Sequence, residues 1–284
     1  MEEVNRTLSR TNTIPREKLC KTAVNKTGIP GYEYCINPYT GCLHACRYCY
    51  ASFMCRFSGH REKWGDFLDV KINLPEILMK QLNRRNPPKG KVLLGSVTDV
   101  YQPDEAQYKI TRSILEILAE YRLMEVHILT KSSLVQRDIS LLHRLPGSKV
   151  GFTITTMDQN ITRIIEPGAS PPDLRLAAAQ KLIKEGIQVW VFIAPLLPGL
   201  SDTEKALTKL LENIHHAGIR EILVDNLNPY PVVIHNLKIT YRRYFPWAMS
   251  SLDEYLQHPM IYQDKIKDRF YRISGQIGCR PYFV

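Results

Sequence analysis

Residues 177–196, AAAQKLIKEGIQVWVFIAPL, hold one complete helix-to-strand step. Ala177 to Ile183 reads as a helix opening after Pro172, and Gly186 stands where a C-cap glycine hands the chain on. The run IQVWVFIAPL that follows is β-branched and aromatic, the composition of a strand. The same hand-over recurs at Gly218 in HAGIREIL, and further strand candidates are KVLLGSVTD (91–99), EVHILTK (125–131), KVGFTITT (149–156) and EILVDNL (221–227). Between them Ile110, Ile114, Ile117 and Leu118 recur on one helical face, as do Leu207, Leu210, Leu211 and Ile214. With YEYCI (32–36) and a helix near Leu74 to Arg85, the pattern comes to six strands and about six helices. Such alternation builds β/α units around a parallel sheet. Right-handed crossovers then leave two architectures, an open doubly wound sheet or a partial (β/α)₆ barrel.

A chain of 284 residues with 44% hydrophobic content can bury the core of one barrel-sized domain with extensions. We divide it into an N-terminal extension (1–30), a core (31–235) and an aromatic, basic and helical C-terminal extension (236–284). Aromatic residues of that extension, Tyr241 to Phe283, would close a core or form a platform for bases. The opening MEEVNRTLSR lacks the apolar run of a signal peptide, and the longest apolar stretch, Val189 to Leu200, is broken by Pro195 and Pro198. No membrane association and a cytoplasmic location are therefore expected. The formal charge is +10, with six basic and three acidic residues in 1–30 and eight and four in 236–284. That excess at the chain ends fits ordinary solubility as well as a nucleic-acid partner.

Seven cysteines are present, five of them within the 21 residues from Cys35 to Cys55 and none between Cys55 and Cys279. An odd, clustered set points to metal in a reducing compartment rather than to a disulfide framework. The loop NPYTGCLHACRYCYASF (37–53) places Cys42, Cys46 and Cys49 at the spacing C-x₃-C-x₂-C. Structural zinc wants four closed ligands, which Cys35 or Cys55 would have to complete. A cubane iron–sulfur cluster held by three thiolates instead leaves one iron open to an exchangeable ligand, and an open metal position signals chemistry.

This loop, with the aromatic Tyr48 before its last cysteine, resembles that of the radical S-adenosylmethionine (radical SAM) enzymes. Two further stretches, GSVTDVYQPDE (95–105) and IEPGASPPDLRLAAAQKLIKEGIQVWVFIAPLLPGLSD (165–202), are similar to the spore photoproduct lyase-related subfamily. The resemblance spans roughly residues 30 to 228. It implies an α/β fold, the partial (β/α)₆ TIM-type barrel of the radical SAM type. It also implies a [4Fe-4S] cluster on Cys42, Cys46 and Cys49, with S-adenosyl-L-methionine on the open iron. A flavodoxin- or ferredoxin-type donor would supply the electron that gives a 5′-deoxyadenosyl radical, which abstracts hydrogen from a substrate left unidentified.

Ser96, Thr98 and Asp99 close a strand candidate at the end where α/β barrels build their sites, so they are candidates to bind the SAM amino group, or a turn or helix cap. Thr153 and Thr155 alternate on one strand face, toward the ribose or as ordinary strand filling. Arg175 offers a planar fork to the SAM carboxylate and Glu166 would hold that arginine or a ribose hydroxyl, a surface helical arginine being the alternative. The turn from Leu196 to Gly199 would receive adenine, with Tyr48 on its other side, and Asn226 and Asn228 would face the same mouth or cap the loop. Where the resemblance implies a hydrogen-donating cysteine beside Ser96 and Thr98, this chain has Val97, and Cys279 would reach the mouth only if the tail folds over it. Thymine-dimer repair by a thiol route is not expected. The contrasting reading is a non-catalytic, metal- or cluster-stapled nucleic-acid-binding protein.

Overall fold

The computed structural model describes residues 13–284, so that residues 1–12 of the expected N-terminal extension lie outside the described residues. The described chain forms two compact units. One holds the residues up to Cys46, Ala51–Lys149 and Pro167–Ala169; the other holds Arg47–Tyr50, Val150–Glu166 and Ser170–Val284.

In the first unit β1 (Arg16–Lys18), β2 (Asn25–Lys26), β3 (Tyr34–Ile36), β4 (Tyr39–Thr40), β5 (Asp69–Lys71), β6 (Gly90–Leu94) and β7 (Met124–Thr130) follow in chain order. β3, β6 and β7 are parallel neighbours, with Ile36 opposite Leu94 and Leu94 opposite Ile128. β2 adds an antiparallel edge to β3. β1 and β4 flank β5 in a separate small sheet. The apolar spacing read for residues 110–118 forms the helix Ile110–Tyr121, which buries Ile114, Leu115 and Leu118. The helix expected near residue 74 spans Leu74–Leu82.

The second unit holds β8 (Lys149–Thr153) from Val150 on, β9 (Gln188–Leu196), β10 (Glu221–Asn226) and β11 (Pro281–Phe283), neighbours in that order. β9, β10 and β11 are parallel. Val191 lies opposite Ile222 and Ile193 opposite Val224, all four buried, so one face of this sheet is a continuous apolar layer. Helices Pro172–Lys184 and Glu204–His216 end where expected, with Gly186 and Gly218 in the left-handed region at φ 75° and 78°. Residues 236–284 belong to this unit and are helical as expected, in Pro231–Tyr244, Met249–Gln257 and Pro259–Ile277. Tyr241, Phe245, Tyr255 and Phe270 are buried in it, while Trp247, Tyr271 and Tyr282 stay exposed. β11 was not legible in advance. No described helix is long and apolar enough to cross a membrane.

Candidate cofactor site

In the first unit the backbone around Cys42 is gripped by the run that follows β6. Thr98 Oγ1 donates to the Gly41 carbonyl at 2.6 Å, and Leu43 N–H donates to Gln102 Oε1 at 2.9 Å. Ala45, at φ 50°, turns the chain so that its N–H reaches the Cys42 carbonyl at 3.2 Å. Gly168 N–H donates to the His44 carbonyl, and a Cβ at residue 168 would stand 2.0 Å from the Leu43 carbonyl oxygen. Only glycine admits that approach. Ser96 Oγ accepts from Asn37 Nδ2 at 2.8 Å, and Val97 N–H donates to Asn37 Oδ1.

Asp99 is buried, and its carboxylate accepts from Tyr101 N–H (2.8 Å), Thr130 Oγ1 (2.7 Å) and Lys131 N–H (2.7 Å). His44 Nδ1 faces it at 3.3 Å without a well-formed hydrogen bond. Burial alone would raise this carboxyl, but the facing imidazole and the donors outweigh it and hold the group down to about 2. Glu105 closes the same run, buried among the Tyr39 hydroxyl, Thr111 N–H and the Arg137 guanidinium. Burial first, then the Glu105 charge, pushes the Tyr39 phenol well up.

In the second unit Tyr48, Thr155, Glu166 and Arg175 meet in one buried network. The Tyr48 hydroxyl donates to Glu166 and lies 3.1 Å from Thr155 Oγ1, which is 3.0 Å from Glu166 Oε1. Arg175 Nη2 donates to the other oxygen of Glu166, Nη1 to the Thr153 carbonyl at 2.9 Å and Nε to the Ser170 carbonyl at 2.6 Å. Arg175 is 1% exposed, so it is not a surface arginine. Its position carries a signal in the sequence: Arg175, Ala178, Ala179 and Leu182 form the buried stripe of their helix, and a cation on such a stripe needs a partner. Thr153 ends β8, Thr155 lies just past it, and Leu196 ends β9. Gln102 and Gly168 received no role from the sequence, although both sit inside the stretches singled out there.

No two of the seven cysteines form a disulfide. Burial pushes the thiols of Cys20, Cys55 and Cys279 up. Cys279 precedes β11, whose Pro281 pairs with Ile222 at the start of β10, so it stands at the N-terminal ends of these strands. Among the described residues no three His, Cys, Asp or Glu side chains are gathered into a single-ion cage. The donor set of Cys42, Cys46 and Cys49 fits a cluster of several irons, one thiolate to each of three, and the loop's backbone is fixed in advance at Gly41, Leu43 and His44.

The family model of the Radical SAM superfamily matches residues 36–224. An uncharacterized protein of Methanocaldococcus jannaschii is 39% identical over 198 residues, 69% of this chain and 73% of its own length. Spore photoproduct lyase of Bacillus subtilis is 26% identical over 179 residues, 62% of this chain, and this chain spans about half (49%) of that lyase. A solved structure of a spore photoproduct lyase mutant with bound AdoMet and dinucleoside spore photoproduct has a TM-score of 0.66 at 18% identity, covering 99% of this chain and 84% of that one. That likeness shows the fold.

Proposed function

The chain belongs to the radical SAM superfamily, and from that premise we propose that it is a spore photoproduct lyase-related enzyme that cleaves S-adenosylmethionine reductively to abstract hydrogen from a substrate. Cys42, Cys46 and Cys49 would hold a [4Fe-4S] cluster. When bound, cluster and SAM together supply an electron and a cleavable sulfonium, hence a 5′-deoxyadenosyl radical. A flavodoxin- or ferredoxin-type protein would deliver the electron in a reducing cytoplasm.

What this chain's own residues contribute follows from their bonds. Thr98, Gln102 and Gly168 hold the cysteine loop still, so that ligand geometry does not have to be organised as the ligands bind. Arg175 acts through Glu166: the pair is buried, and the carboxylate it orients accepts from the hydroxyl of Tyr48, the residue before Cys49. Tyr48, Thr153, Thr155 and Leu196 are the second unit's candidates to receive the adenosyl group, and Ser96, Thr98 and Asp99 the first unit's candidates to bind the SAM amino group. The observation that carries the reading is this convergence of Tyr48, Thr155, Glu166 and Arg175, four positions spread over 128 residues, into one network joined to the residue before Cys49.

Val97 has no exchangeable thiol hydrogen, and Cys279 stands at the N-terminal strand ends, so neither would return hydrogen to a product radical. The substrate is therefore not assigned from the dinucleoside bound in the lyase structure. After anaerobic reconstitution with iron and sulfide, the protein should carry about four irons per chain. With dithionite and SAM it should release 5′-deoxyadenosine. Replacing Cys42, Cys46 and Cys49 together by alanine should abolish both. A wild-type protein with its cluster intact and no SAM cleavage would sink the reading.

A further inference from the structure

We propose that the C-terminal helices latch the turn after β9, with Tyr262 and Asp202 as the positioning pair, and so set how tightly that turn receives the adenosyl part of SAM. The ligand named here rests on the SAM-cleaving reading above; the latch itself rests on bonds within the second unit.

The turn runs from Leu197 to Asp202 and closes on itself, Leu197 N–H donating to Ser201 Oγ and Gly199 N–H to Asp202 Oδ1, both at 2.7 Å. Three helices then converge on it. From Pro231–Tyr244, the Tyr241 hydroxyl donates to the Pro198 carbonyl at 2.9 Å. Against Met249–Gln257, Gly199 packs so closely that a Cβ there would stand 2.9 Å from Ser251 Cβ and Oγ and 3.0 Å from Ala248 Cβ. From Pro259–Ile277, the Tyr262 hydroxyl donates to Asp202 Oδ2 and Arg269 Nη1 to the Asp202 backbone carbonyl, both at 2.7 Å. Arg272 adds a fork on Glu204 at 3.0 and 2.9 Å just beyond.

The Asp202 carboxylate is thus a two-sided acceptor. One oxygen holds the turn through Gly199, the other holds the helix through Tyr262, and the residue is 2% exposed. A tail that only closed a core would need no more than the apolar burial that Ile266, Phe270 and Ile273 provide. Polar bonds from two helices, aimed at six residues directly after the C-terminal end of a sheet strand, go beyond that. Sites of α/β folds form at that end, and a small shift of a positioning backbone costs affinity or rate steeply. The helices are therefore placed to transmit their position to the turn at Leu196–Gly199.

The test compares wild type, Tyr262→Phe, Asp202→Ala and Asp202→Asn as full-length, anaerobically reconstituted proteins. Two readouts are taken: amide exchange over residues 197–203 before SAM is added, and the SAM dependence of 5′-deoxyadenosine formation. Tyr262→Phe and Asp202→Ala should speed exchange in the turn and raise KM for SAM about tenfold, the size of one buried hydrogen bond, with kcat at saturating SAM and iron content unchanged. Asp202→Asn, which keeps an acceptor, should stay near wild type. Faster exchange with an unchanged KM would make the helices merely structural, and unchanged exchange would remove the latch outright; either overturns the proposal. A wild type that forms no 5′-deoxyadenosine overturns the SAM reading and the ligand named here with it, whereas exchange still judges the latch. Should Asp202→Ala fail to fold, Tyr262→Phe, the loss of one hydroxyl, decides alone.

Discussion

Asp99 in the first unit and Asp202 in the second are both buried aspartates that follow a sheet strand within a few residues, yet they are held in opposite ways. Around Asp99 stand three donors and the His44 imidazole, and together they overcome the cost of burial, so the carboxyl is held down to about 2. Around Asp202 burial is the largest influence, and the Tyr262 hydroxyl and the Gly199 N–H offset it only in part, leaving the carboxyl raised to about 6. Arg269 reaches the backbone carbonyl of Asp202 rather than its side chain. Burial does not decide the charge of a carboxyl; the number and charge of the donors that replace water do. The first unit uses its aspartate as an anion that fastens one loop to the next strand end, the second as an acceptor between a turn and a helix whose charge burial disfavours.

Of the two aspartates the larger effect should come from Asp99→Ala, which strips the acceptor from Tyr101 N–H, Thr130 Oγ1 and Lys131 N–H at once. Leaving several buried donors unsatisfied costs on the order of 4 kcal/mol, read as a drop in the urea unfolding free energy of the reconstituted protein. Iron content should fall too, because Thr98 and Gln102 on the same run grip the cysteine loop. An Asp99→Ala protein with wild-type stability would erase the contrast between the two sites.

Next in size is the pH dependence carried by Asp202. Its folded pKa, about 6, lies above the ordinary aspartate value of 3.8, so the group favours the folded state while protonated and that contribution disappears as pH rises through about 6. Relative to wild type, Asp202→Asn should gain about 3 kcal/mol between pH 4 and pH 7, from two pKa steps at about 1.4 kcal/mol each. Asp99 runs the other way. Its depressed pKa gives stability that is complete above 3.8 and is lost as pH falls through about 2, an amount near 2 kcal/mol. The stability difference between wild type and Asp99→Asn should therefore shrink in acid, whereas that for Asp202→Asn should grow in favour of the variant toward neutral pH. Two profiles of the same sign would show that burial alone sets both groups.

How much of this was legible in the sequence varies with the range of the interactions. The six strands at β3 and β6 to β10 and the helices between them were legible because each carries its own periodicity and a glycine or proline stop. β2 and β4, of two residues each, carry no period at all, and β11 exists only because it finds the edge of β10. At the site, Tyr48, Thr155, Glu166 and Arg175 were each named, but not their union, since their spacing in the chain says nothing about which meet. Asp99 shows the reverse limit: one residue type serves a turn, a cap or a ligand equally, and only Thr130 and Lys131, some thirty residues on, reveal what it binds here.

The smallest effect is the one expected at Trp247, read against Phe270 as the buried reference among the aromatics of the second unit's C-terminal region. Phe270 is fully buried, so Phe270→Ala should open a cavity and cost about 3 to 5 kcal/mol. Trp247 is 68% exposed in the 3₁₀ turn Pro246–Ala248, so Trp247→Ala should change stability by less than about 0.5 kcal/mol. Stability thus separates residues that close the core from those that do not, and it leaves activity as the informative readout for Trp247. A Trp247→Ala protein that forms 5′-deoxyadenosine at the wild-type rate, but no longer responds to a substrate that couples to it, would place the exposed aromatics on the substrate path. If coupling is also unchanged, the search for substrate contacts moves to the strand ends around Leu196 and Asn226.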